Sequence, residues 1–409
     1  MTSFDDIFGD IDAPTGERQD ADKAASSVTA NVDPIAAAEK IETDYRRYLK
    51  TLLNPREPDI AAAYFNAVDQ CDTLAMGPIL QLTPPYAPGA TARDLIGEGL
   101  LCDGFKKLSG TVPLDRPLYR HQETAIRKFK DGRNLVVSTG TGSGKTESFL
   151  LPIVDELLRE HRDGTLGPGV RALLLYPMNA LANDQIKRLR ELLADVPEIT
   201  FGRYTGETEE KTSDAAKLYR ELNDHADPLP NELISREQMR ANPPHILLTN
   251  YAMLEYLLLR PEDTELFDGA TAGRWRFIVL DEAHVYAGAK GTEIGMLLRR
   301  LKDRVARTTN VQCIATSASL QGDPSDVMGF AESLFDARFE YAADDSARQD
   351  LVTSTPLATA DGSDWRFDDS DLDGSIGDGR LDDVLMRKAG VDGASVDSPE
   401  GKDALADTL

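Results

Sequence analysis

The sequence predicts an α/β fold in which a parallel β-sheet carries helices on both faces. Its central part holds short apolar runs that are bounded by turns and mostly followed by helical patterns. A continuous apolar run without alternation is typical of a strand buried on both faces. Strands that alternate with helices indicate a parallel sheet. The six runs are NLVVS (134–138), RALLLY (171–176), ITFGR (199–203), HILLT (245–249), RFIVLD (276–281) and VQCIAT (311–316).

Helices and connecting segments complete the predicted order. Helical patterns cover 145–160, 179–194, 250–259, 292–307 and 324–336. Residues 207–243 are polar, which predicts a loop or small helices over one edge of the sheet. Residues 34–70 predict helices that break at NPREPD, and the Pro- and Gly-rich stretch 77–117 predicts an extended lead-in.

Charge is distributed unevenly along the 409 residues, whose net charge is −25. Residues 1–44 carry −8 and residues 341–409 carry −11, so the middle is close to neutral. Like-charged blocks repel and often stay solvated. The aspartate bias fits either adaptation to high salt or ordinary acidic tails. We therefore expect a disordered acidic N-terminus (1–33), a helical or extended region (34–116), the α/β lobe (117–340) and an acidic, largely irregular, mobile segment (341–409).

Several classes of protein are excluded by composition. The three cysteines form no Cys-x-x-Cys pair, so neither a disulfide framework nor a zinc site is expected. The N-terminus lacks the apolar core of a signal peptide, and no apolar run approaches the ~20 residues that span a bilayer. The sequence therefore predicts a soluble, cytoplasmic protein with no membrane partner.

A glycine-rich segment, TGTGSGKT (139–146), follows a predicted strand and opens a predicted helix. Backbone N–H groups of such a loop point at phosphate oxygens, and the helix N-terminus adds partial positive charge. The lysine is expected to reach the β- and γ-phosphates and the last threonine to bind Mg²⁺. A chance glycine turn is the alternative. The predicted loop consists of Thr139, Gly140, Thr141, Gly142, Ser143, Gly144, Lys145 and Thr146.

Two adjacent carboxylates end the apolar run FIVLDEAH (277–284). Ligands bind beyond the carboxyl ends of parallel strands, where the phosphate loop also lies. Asp281 is expected to hold Mg²⁺ through its water shell and Glu282 to polarise the attacking water. His284 is expected to sense the γ-phosphate side. A solvated turn after a buried strand is the alternative for this run.

Three motifs in this order, TGTGSGKT, LDEAH and ATSAS (315–319), resemble motifs I, II and III of superfamily 2 helicases of the DEAD/DEAH-box kind. Thr139 stands where the strict loop has glycine, as in the helicase variant. The resemblance implies a RecA-like first motor lobe that hydrolyses ATP with Mg²⁺. It also implies catalytic roles for Ser317 and Ser319, although both could merely cap the next helix.

PLYRHQETAI (117–126) resembles the motif that reads adenine, which implies that Gln122 bonds the adenine edge and Tyr119 lies against the ring. Three further segments resemble motifs that face nucleic acid: LLLYPMNALANDQ (173–185), RYTGE (203–207) and ILLTNYAMLEYLLLR (246–260). The resemblance favours DNA over RNA as the partner. The implied contacts are Pro177, Asn179, Gln185, Thr205, Gly206, Thr249 and Asn250. Many relatives have Thr-Pro where this chain has Thr249–Asn250. The motif YPMNALANDQ is closest to large prokaryotic repair and phage-defence helicases such as the DISARM helicase group.

Other charged groups and the C-terminal segment leave alternatives open. The basic residues of the helix around 299–307 favour a solvated face over a nucleic-acid patch, and no chemical role is predicted for His121 or His245.

No second sheet is predicted in residues 341–409, so we expect a first motor lobe that needs a second lobe, in cis or from a partner chain. The leading hypothesis is an ATP-dependent helicase or translocase. The alternatives are a duplex-DNA translocating motor subunit of a restriction or defence complex and a non-hydrolysing ATP-binding module.

Overall fold

The computed structural model describes residues 34–53, 55–71, 73–75, 85–268, 273–306, 310–318 and 322–357. The chain divides into two compact units. One comprises Met1–Pro84 and Thr359–Leu409, and the other runs from Pro85 to Ala358. The predicted disorder of 1–33 and the predicted irregular tail beyond 357 lie outside the described residues.

In the first unit the described residues form two helices, as predicted. Helix α1 is Pro34–Leu52 and helix α2 is Pro58–Asp69. Proline suits the first position of a helix because its missing N–H would have no partner there, and Pro58 begins α2. Arg46 of α1 donates to the Cys71 carbonyl at 2.9 Å, so α1 supplies hydrogen bonds just beyond the C-terminus of α2.

In the second unit an eight-stranded parallel sheet forms the centre of a RecA-like α/β fold, which confirms the predicted fold class. All six predicted strands are present. Together with two short ones they are β3 (Leu135–Ser138), β4 (Ala172–Tyr176), β5 (Phe201–Arg203), β6 (Glu232–Leu233), β7 (Ile246–Asn250), β8 (Phe277–Leu280), β9 (Gln312–Ser317) and β10 (Leu351–Thr353). Their order is β10-β3-β9-β8-β4-β7-β5-β6.

Both edge strands of this sheet were absent from the prediction. Strand β6 has two residues and lies in the polar segment that was expected to form a loop or helices. Strand β10 has three residues, lies in the segment that was expected to be irregular, and pairs with β3. Apolar runs this short give no sequence signal, since strands are usually recognised over four to eight residues.

Helices cover both faces of the sheet, as predicted. They are α4 (Arg120–Lys130), α5 (Lys145–Arg162), α6 (Asn179–Leu193), α7 (Thr212–Leu222), α8 (Arg236–Ala241), α9 (Tyr251–Leu259), α10 (Gly288–Val305) and α11 (Pro324–Phe335). One buried apolar cluster joins the sheet to α4, α5 and α6, and a second joins its other face to α9, α10 and α11. Two separate cores therefore hold the sheet between them.

The segment before the sheet is more ordered than the predicted extended lead-in. It contains strand β1 (Pro88–Thr91), helix α3 (Ala92–Gly97) and a 3₁₀ helix at Asp103–Leu108, and β1 pairs with β2 (Pro117–Tyr119). Leu95 and Phe105 are fully buried in the first core. The compact unit is consequently wider, at Pro85–Ala358, than the predicted lobe of 117–340.

The carboxyl ends of the central strands carry the residues of interest. Strand β3 leads into the phosphate loop, β4 into Pro177, β7 into Asn250, β8 into Asp281, and β9 ends at Ser317. Because these strands are parallel and adjacent, all five ends meet at one edge of the sheet. No helix among the described residues is long and apolar enough to cross a membrane.

Candidate nucleotide and nucleic-acid site

The phosphate loop adopts a backbone that only glycine enters easily. Gly142 and Gly144 have φ of 74° and 70°, in the left-handed region where a side chain is strained. Thr139 and Ser143 are buried, and their hydroxyls lie 2.6 Å apart. The Ser143 hydroxyl also donates to the Gly140 carbonyl at 2.8 Å. Thr139 and Ser143 therefore stabilise the loop conformation through buried hydrogen bonds.

Two consecutive side chains of α4, His121 and Gln122, contact backbone carbonyls of the loop. The His121 ring nitrogen Nε2 lies 2.8 Å from the Ser143 carbonyl, and the Gln122 amide donates to the Gly144 carbonyl at 3.0 Å. Burial lowers the pKa of His121, which keeps the ring neutral. The sequence prediction assigned His121 no role, because its contact spans 22 residues and has no local signature.

Gln122 lines the same cleft as Lys145 and Asp281. Its amide oxygen accepts from the Tyr119 N–H at 2.8 Å, so the side chain bridges Tyr119 and the loop. Tyr119 is 38% exposed and stacks on His121, with ring centroids 5.5 Å apart. Tyr86, which the sequence reading overlooked, meets Tyr119 edge-on at 5.3 Å. An aromatic group therefore borders one end of the cleft.

The two carboxylates after β8 have different environments. Asp281 is 9% exposed, it accepts a hydrogen bond from the Thr316 hydroxyl, and burial raises its pKa. Glu282 has a left-handed backbone, with φ of 50°, which is uncommon outside glycine, asparagine and aspartate and is found at functional sites. Its Oε1 lies 3.3 Å from Lys145 Nζ and its Oε2 lies 3.3 Å from His284 Nδ1. Lys145 therefore hydrogen-bonds to Glu282 Oε1, whereas Glu282 Oε2 lies near His284 without a hydrogen-bond partner among the described residues.

The motif after β9 reaches the same place. The Ser317 hydroxyl lies 3.1 Å from His284 Nδ1, and the Ser317 carbonyl accepts from the Thr139 N–H at 3.1 Å. Ser317 therefore connects the acidic turn with the start of the phosphate loop. Ser319 lies outside the described residues.

A cleft of about 540 Å³, which we call the nucleotide cleft, is lined by Tyr119, Gln122, part of the phosphate loop and the two carboxylates. Its lining includes Lys145, Thr146, Asp281 and Glu282. Helix α6 adds three side chains, Leu181, Gln185 and Arg188. Gln185, which was predicted to contact nucleic acid, lines this cleft.

Other predicted nucleic-acid residues meet at the ends of β4 and β7. The Asn250 amide donates to Asn179 Oδ1 at 2.7 Å, and the Asn179 amide donates to Glu207 Oε1 at 2.9 Å. Asn250 also caps α9, since its side-chain oxygen accepts from the Met253 N–H at 2.7 Å. Pro177, Asn179 and Asn250 are half-buried and Gly206 is exposed, so these four residues form an accessible edge.

The two predicted threonine contacts are not accessible. Thr205 and Thr249 are both fully buried. The Thr249 hydroxyl donates to the Tyr204 carbonyl at 2.6 Å, and the Thr205 hydroxyl has no hydrogen-bond partner. These side chains support the loop Arg203–Thr208, which we call the Thr-Gly loop, and in this structure neither hydroxyl can reach a ligand from solvent.

A buried network behind the Thr-Gly loop has no counterpart in the sequence prediction. Asp263 is fully buried and accepts from the Tyr204 hydroxyl at 2.5 Å and from Arg240 Nε at 2.7 Å. Arg236 donates to the carbonyls of Thr205 and Gly206, at 3.2 Å each. Both arginines belong to α8, so the inserted segment holds the loop. These long-range partners carry no motif that could have revealed them.

The basic face of α10 is paired with other groups of the protein. Arg304 forms an ion pair with Asp268 at 2.6 Å, and Lys302 donates to the Phe335 carbonyl at 2.9 Å. Arg299 and Arg300 have acidic neighbours at 3.6 and 3.8 Å. These contacts favour the predicted solvated face, and Arg307 lies outside the described residues.

His245, for which no chemistry was predicted, is a satisfied strand residue. Its Nδ1 accepts from the Thr200 N–H at 2.9 Å, and Nε2 lies 3.2 Å from the Gly167 carbonyl. Burial and the neighbouring Arg171 lower its pKa to about 4. The neutral ring is therefore part of the fold.

Known proteins resemble this chain over the same region. Residues 119–327 match the model of the DEAD/DEAH box helicase family. The chain is 32% identical over 383 residues to Druantia protein DruE of Escherichia coli (strain UMEA 4076-1), covering 72% of this chain and 21% of that protein. It is 32% identical over 211 residues to ATP-dependent helicase Lhr-Core of Methanothermobacter thermautotrophicus, covering 51% and 22% of the two chains.

One solved structure in the comparison is the DUF1998 helicase MrfA bound to DNA, with 25% identity and a TM-score of 0.46. The match covers 67% of this chain and 31% of that chain. The chain spans about a fifth of the length of the two curated relatives. The particular likeness to the DISARM helicase group stays a prediction.

The family match begins at Tyr119 and includes the phosphate loop, the acidic turn and Ser317. It confirms the predicted superfamily and, with it, the prediction of an ATP hydrolase. The chain belongs to the DEAD/DEAH box helicase family.

Proposed function

We propose that this chain is the first motor lobe of a nucleic-acid helicase or translocase and that it couples ATP hydrolysis to movement along DNA. The observation that carries the proposal is the convergence of Lys145, Thr146, Asp281 and Glu282 on one cleft. Phosphoryl transfer requires positioning, charge neutralisation and an oriented nucleophile, and these side chains offer all three.

The cleft residues fit ATP with Mg²⁺. Magnesium prefers oxygen ligands and keeps several waters, and Thr146 and Asp281 supply a hydroxyl and a carboxylate. Among the described residues, no group of three or more His, Cys, Asp or Glu side chains is placed to hold a metal ion. When bound, Mg²⁺ would neutralise charge on the phosphate oxygens.

The contacts of Lys145 and Glu282 indicate what each side chain would do when ATP binds. Lys145, now 3.3 Å from Glu282, would reach the β- and γ-phosphates and release the carboxylate. Glu282 would then orient the attacking water. His284 Nδ1, which lies 3.3 Å from Glu282 Oε2 and 3.1 Å from the Ser317 hydroxyl, would help to position Glu282.

Adenine would be recognised at the other end of the cleft. Gln122 uses one amide N–H on the Gly144 carbonyl, which leaves a second N–H for the base edge. The Tyr119 ring is exposed enough to lie against the base. Both assignments predict a preference for ATP over GTP that Gln122→Ala removes.

Nucleic acid would bind along the accessible edge of Pro177, Asn179, Gly206 and Asn250. Backbone and amide groups there can donate to phosphate oxygens without reading bases. Such binding is independent of sequence and weakens with salt. DNA is the proposed substrate.

A second lobe, in cis or from a partner chain, is part of the proposal. Among the described residues every group that lines the nucleotide cleft comes from one sheet and its flanking segments. In related enzymes an arginine from an opposing wall contributes ~10³–10⁵ in rate. We therefore expect slow hydrolysis by residues 1–409 alone and a large increase when the second lobe is supplied.

Steady-state phosphate release tests this function. It would be measured with and without single-stranded DNA, for the chain alone and with the second lobe added. Hydrolysis that DNA stimulates only in the second case supports the proposal. Brisk DNA-stimulated hydrolysis by the chain alone would remove the need for a second lobe, and absence of ATP binding would refute the proposal itself.

Two further assays separate the alternatives. Displacement of a strand from a duplex indicates a helicase, whereas displacement of a third strand from a triplex without duplex opening indicates a duplex translocase. ATP binding without turnover, even with the second lobe and DNA present, would indicate a non-hydrolysing module.

A further inference from the structure

Two arginines, Arg116 and Arg188, line the nucleotide cleft, and neither has been assigned a role above. Of the two, Arg188 is the one that a helix carries. Arg188 lies on α6 and lines the cleft together with Lys145, Asp281 and Glu282. Lys145 is already in an ion pair with Glu282. Among the described residues, by contrast, no hydrogen bond or ion pair involves the Arg188 side chain, although most arginines of this unit are paired.

Helix α6 presents this arginine from a rigid position. Leu181, Gln185 and Arg188 follow the i, i+4, i+7 spacing of a single helix face, and all three line the cleft. A neighbouring face of the helix is anchored, since Ile186 and Leu189 are buried in the first core. The guanidinium is therefore presented to the cleft by an element that does not need to rearrange.

The charges around the cleft explain what Arg188 can bind. Glu147, Asp281 and Glu282 contribute three carboxylates to its lining, and Lys145 neutralises one of them. A nucleoside triphosphate would add several more negative charges. Guanidinium suits phosphate because its planar fork donates two parallel hydrogen bonds.

We propose that Arg188 binds the polyphosphate of the nucleotide, as an arginine that the first lobe itself supplies. This inference rests on the proposed ATP site and extends it by a residue outside the family motifs quoted above. The helix that begins at the nucleic-acid edge with Asn179 would thereby also touch the nucleotide.

The chain offers a matched control. Lys187 is the neighbouring cation on α6, but it lines a different groove with Arg190 and Tyr219. Arg188→Ala and Lys187→Ala therefore remove the same charge from the same helix, on different faces. Arg188→Lys keeps the charge and loses the fork, and Arg188→Gln serves if the alanine variant does not fold.

The experiment is titration of the full chain and its variants with ATP, ADP, AMP and adenosine, in the presence of Mg²⁺. We expect Arg188→Ala to weaken ATP and ADP by roughly tenfold or more, with adenosine unchanged. Arg188→Lys should recover part of the loss, and Lys187→Ala should resemble the unaltered chain.

Three outcomes would overturn the inference. Equal ATP affinity for Arg188→Ala and Lys187→Ala would remove the arginine from the site. An equal loss for all four ligands would place Arg188 against the base or ribose instead. Failure of the unaltered chain to bind ATP would refute the proposed function, and with it this inference.

Discussion

The nucleotide cleft and the Thr-Gly loop lie at the same edge of one sheet, but they display their polar groups in opposite ways. In the cleft, Lys145 and Glu282 line open space and are bonded to each other. Thr205 of the Thr-Gly loop and Thr249 of the adjacent strand β7 are instead fully buried. Under the proposed function, side chains of the cleft would bind the nucleotide, whereas nucleic-acid binding would use backbone and amide groups.

The two regions are also supported differently. The phosphate loop is stabilised by the buried hydroxyls of its own Thr139 and Ser143 and by two side chains of α4, His121 and Gln122. The Thr-Gly loop depends on Arg236 and on the Asp263 network, which belong to the insertion and the segment after α9. Changes in one support should therefore leave the other region intact, and the following predictions use that independence.

The largest effect is expected for Glu282→Gln. Loss of the carboxylate removes the group that polarises water and keeps the shape of the side chain, so hydrolysis should fall by ~10²–10⁴-fold in the presence of the second lobe. ATP affinity should change little. Phosphate release and an ATP titration measure the two effects, and a mutant that still hydrolyses ATP would assign the role to another residue.

Asp263→Ala should affect stability and the Thr-Gly loop. The carboxylate is fully buried between Tyr204 and Arg240, and breaking such a pair costs about 3 kcal/mol of unfolding free energy. Urea unfolding measures this cost. ATP affinity of the folded fraction should be unchanged.

Asp227→Ala is the control for this prediction. Asp227 forms an exposed ion pair with Arg220, which should contribute little to stability. Equal destabilisation by Asp227→Ala and Asp263→Ala would contradict the importance of burial. Loss of ATP affinity in Asp263→Ala would contradict the independence of the two regions.

Lys145→Ala should reduce ATP affinity by roughly 10–100-fold, since it deletes a charged hydrogen-bond donor to phosphate. Nucleic-acid affinity without nucleotide should stay the same, because Lys145 lines the nucleotide cleft and Asn179 does not. Binding titrations with ATP and with single-stranded DNA check both statements. A parallel loss of both affinities would show that the two regions are coupled.

Whether a feature of these two regions could be predicted from the sequence depends on how far apart in the chain its interacting residues lie. The phosphate loop and the acidic turn are contiguous in sequence, so their residues could be named in advance. The clamp by His121 and the Asp263 network join residues 22 to 59 positions apart and involve residue types that are usually surface groups. Gln185 shows the limit for single residues, because its motif did not indicate that the side chain lines the nucleotide cleft.

The same argument applies to the fold. Long apolar runs predicted all six inner strands, and β7 begins and ends within a residue of its predicted bounds. Strands β6 and β10 form only because a neighbouring strand offers unpaired N–H and C=O groups. Their own two or three residues contain no periodic signal, so they could be found only from the assembled sheet.

The smallest effect is expected for Thr205→Val. The Thr205 hydroxyl is buried and lacks a partner, so a valine of the same shape should leave stability unchanged or raise it by up to about 1 kcal/mol. Affinity for single-stranded DNA should stay within about twofold. Asn250→Ala, which alters the accessible edge, should weaken binding more, because its amide pairs with Asn179 there.

Fluorescence anisotropy with a labelled oligonucleotide measures both variants at the same salt concentration, since salt alone changes the affinity. If Thr205→Val weakens binding as much as Asn250→Ala, the loop must turn its threonine outwards when DNA binds. The hydrogen bonds from Arg236 to the Thr205 and Gly206 carbonyls would then have to break. Arg236→Ala should in that case strengthen DNA binding, whereas a loop that binds as it stands should lose affinity in the same variant.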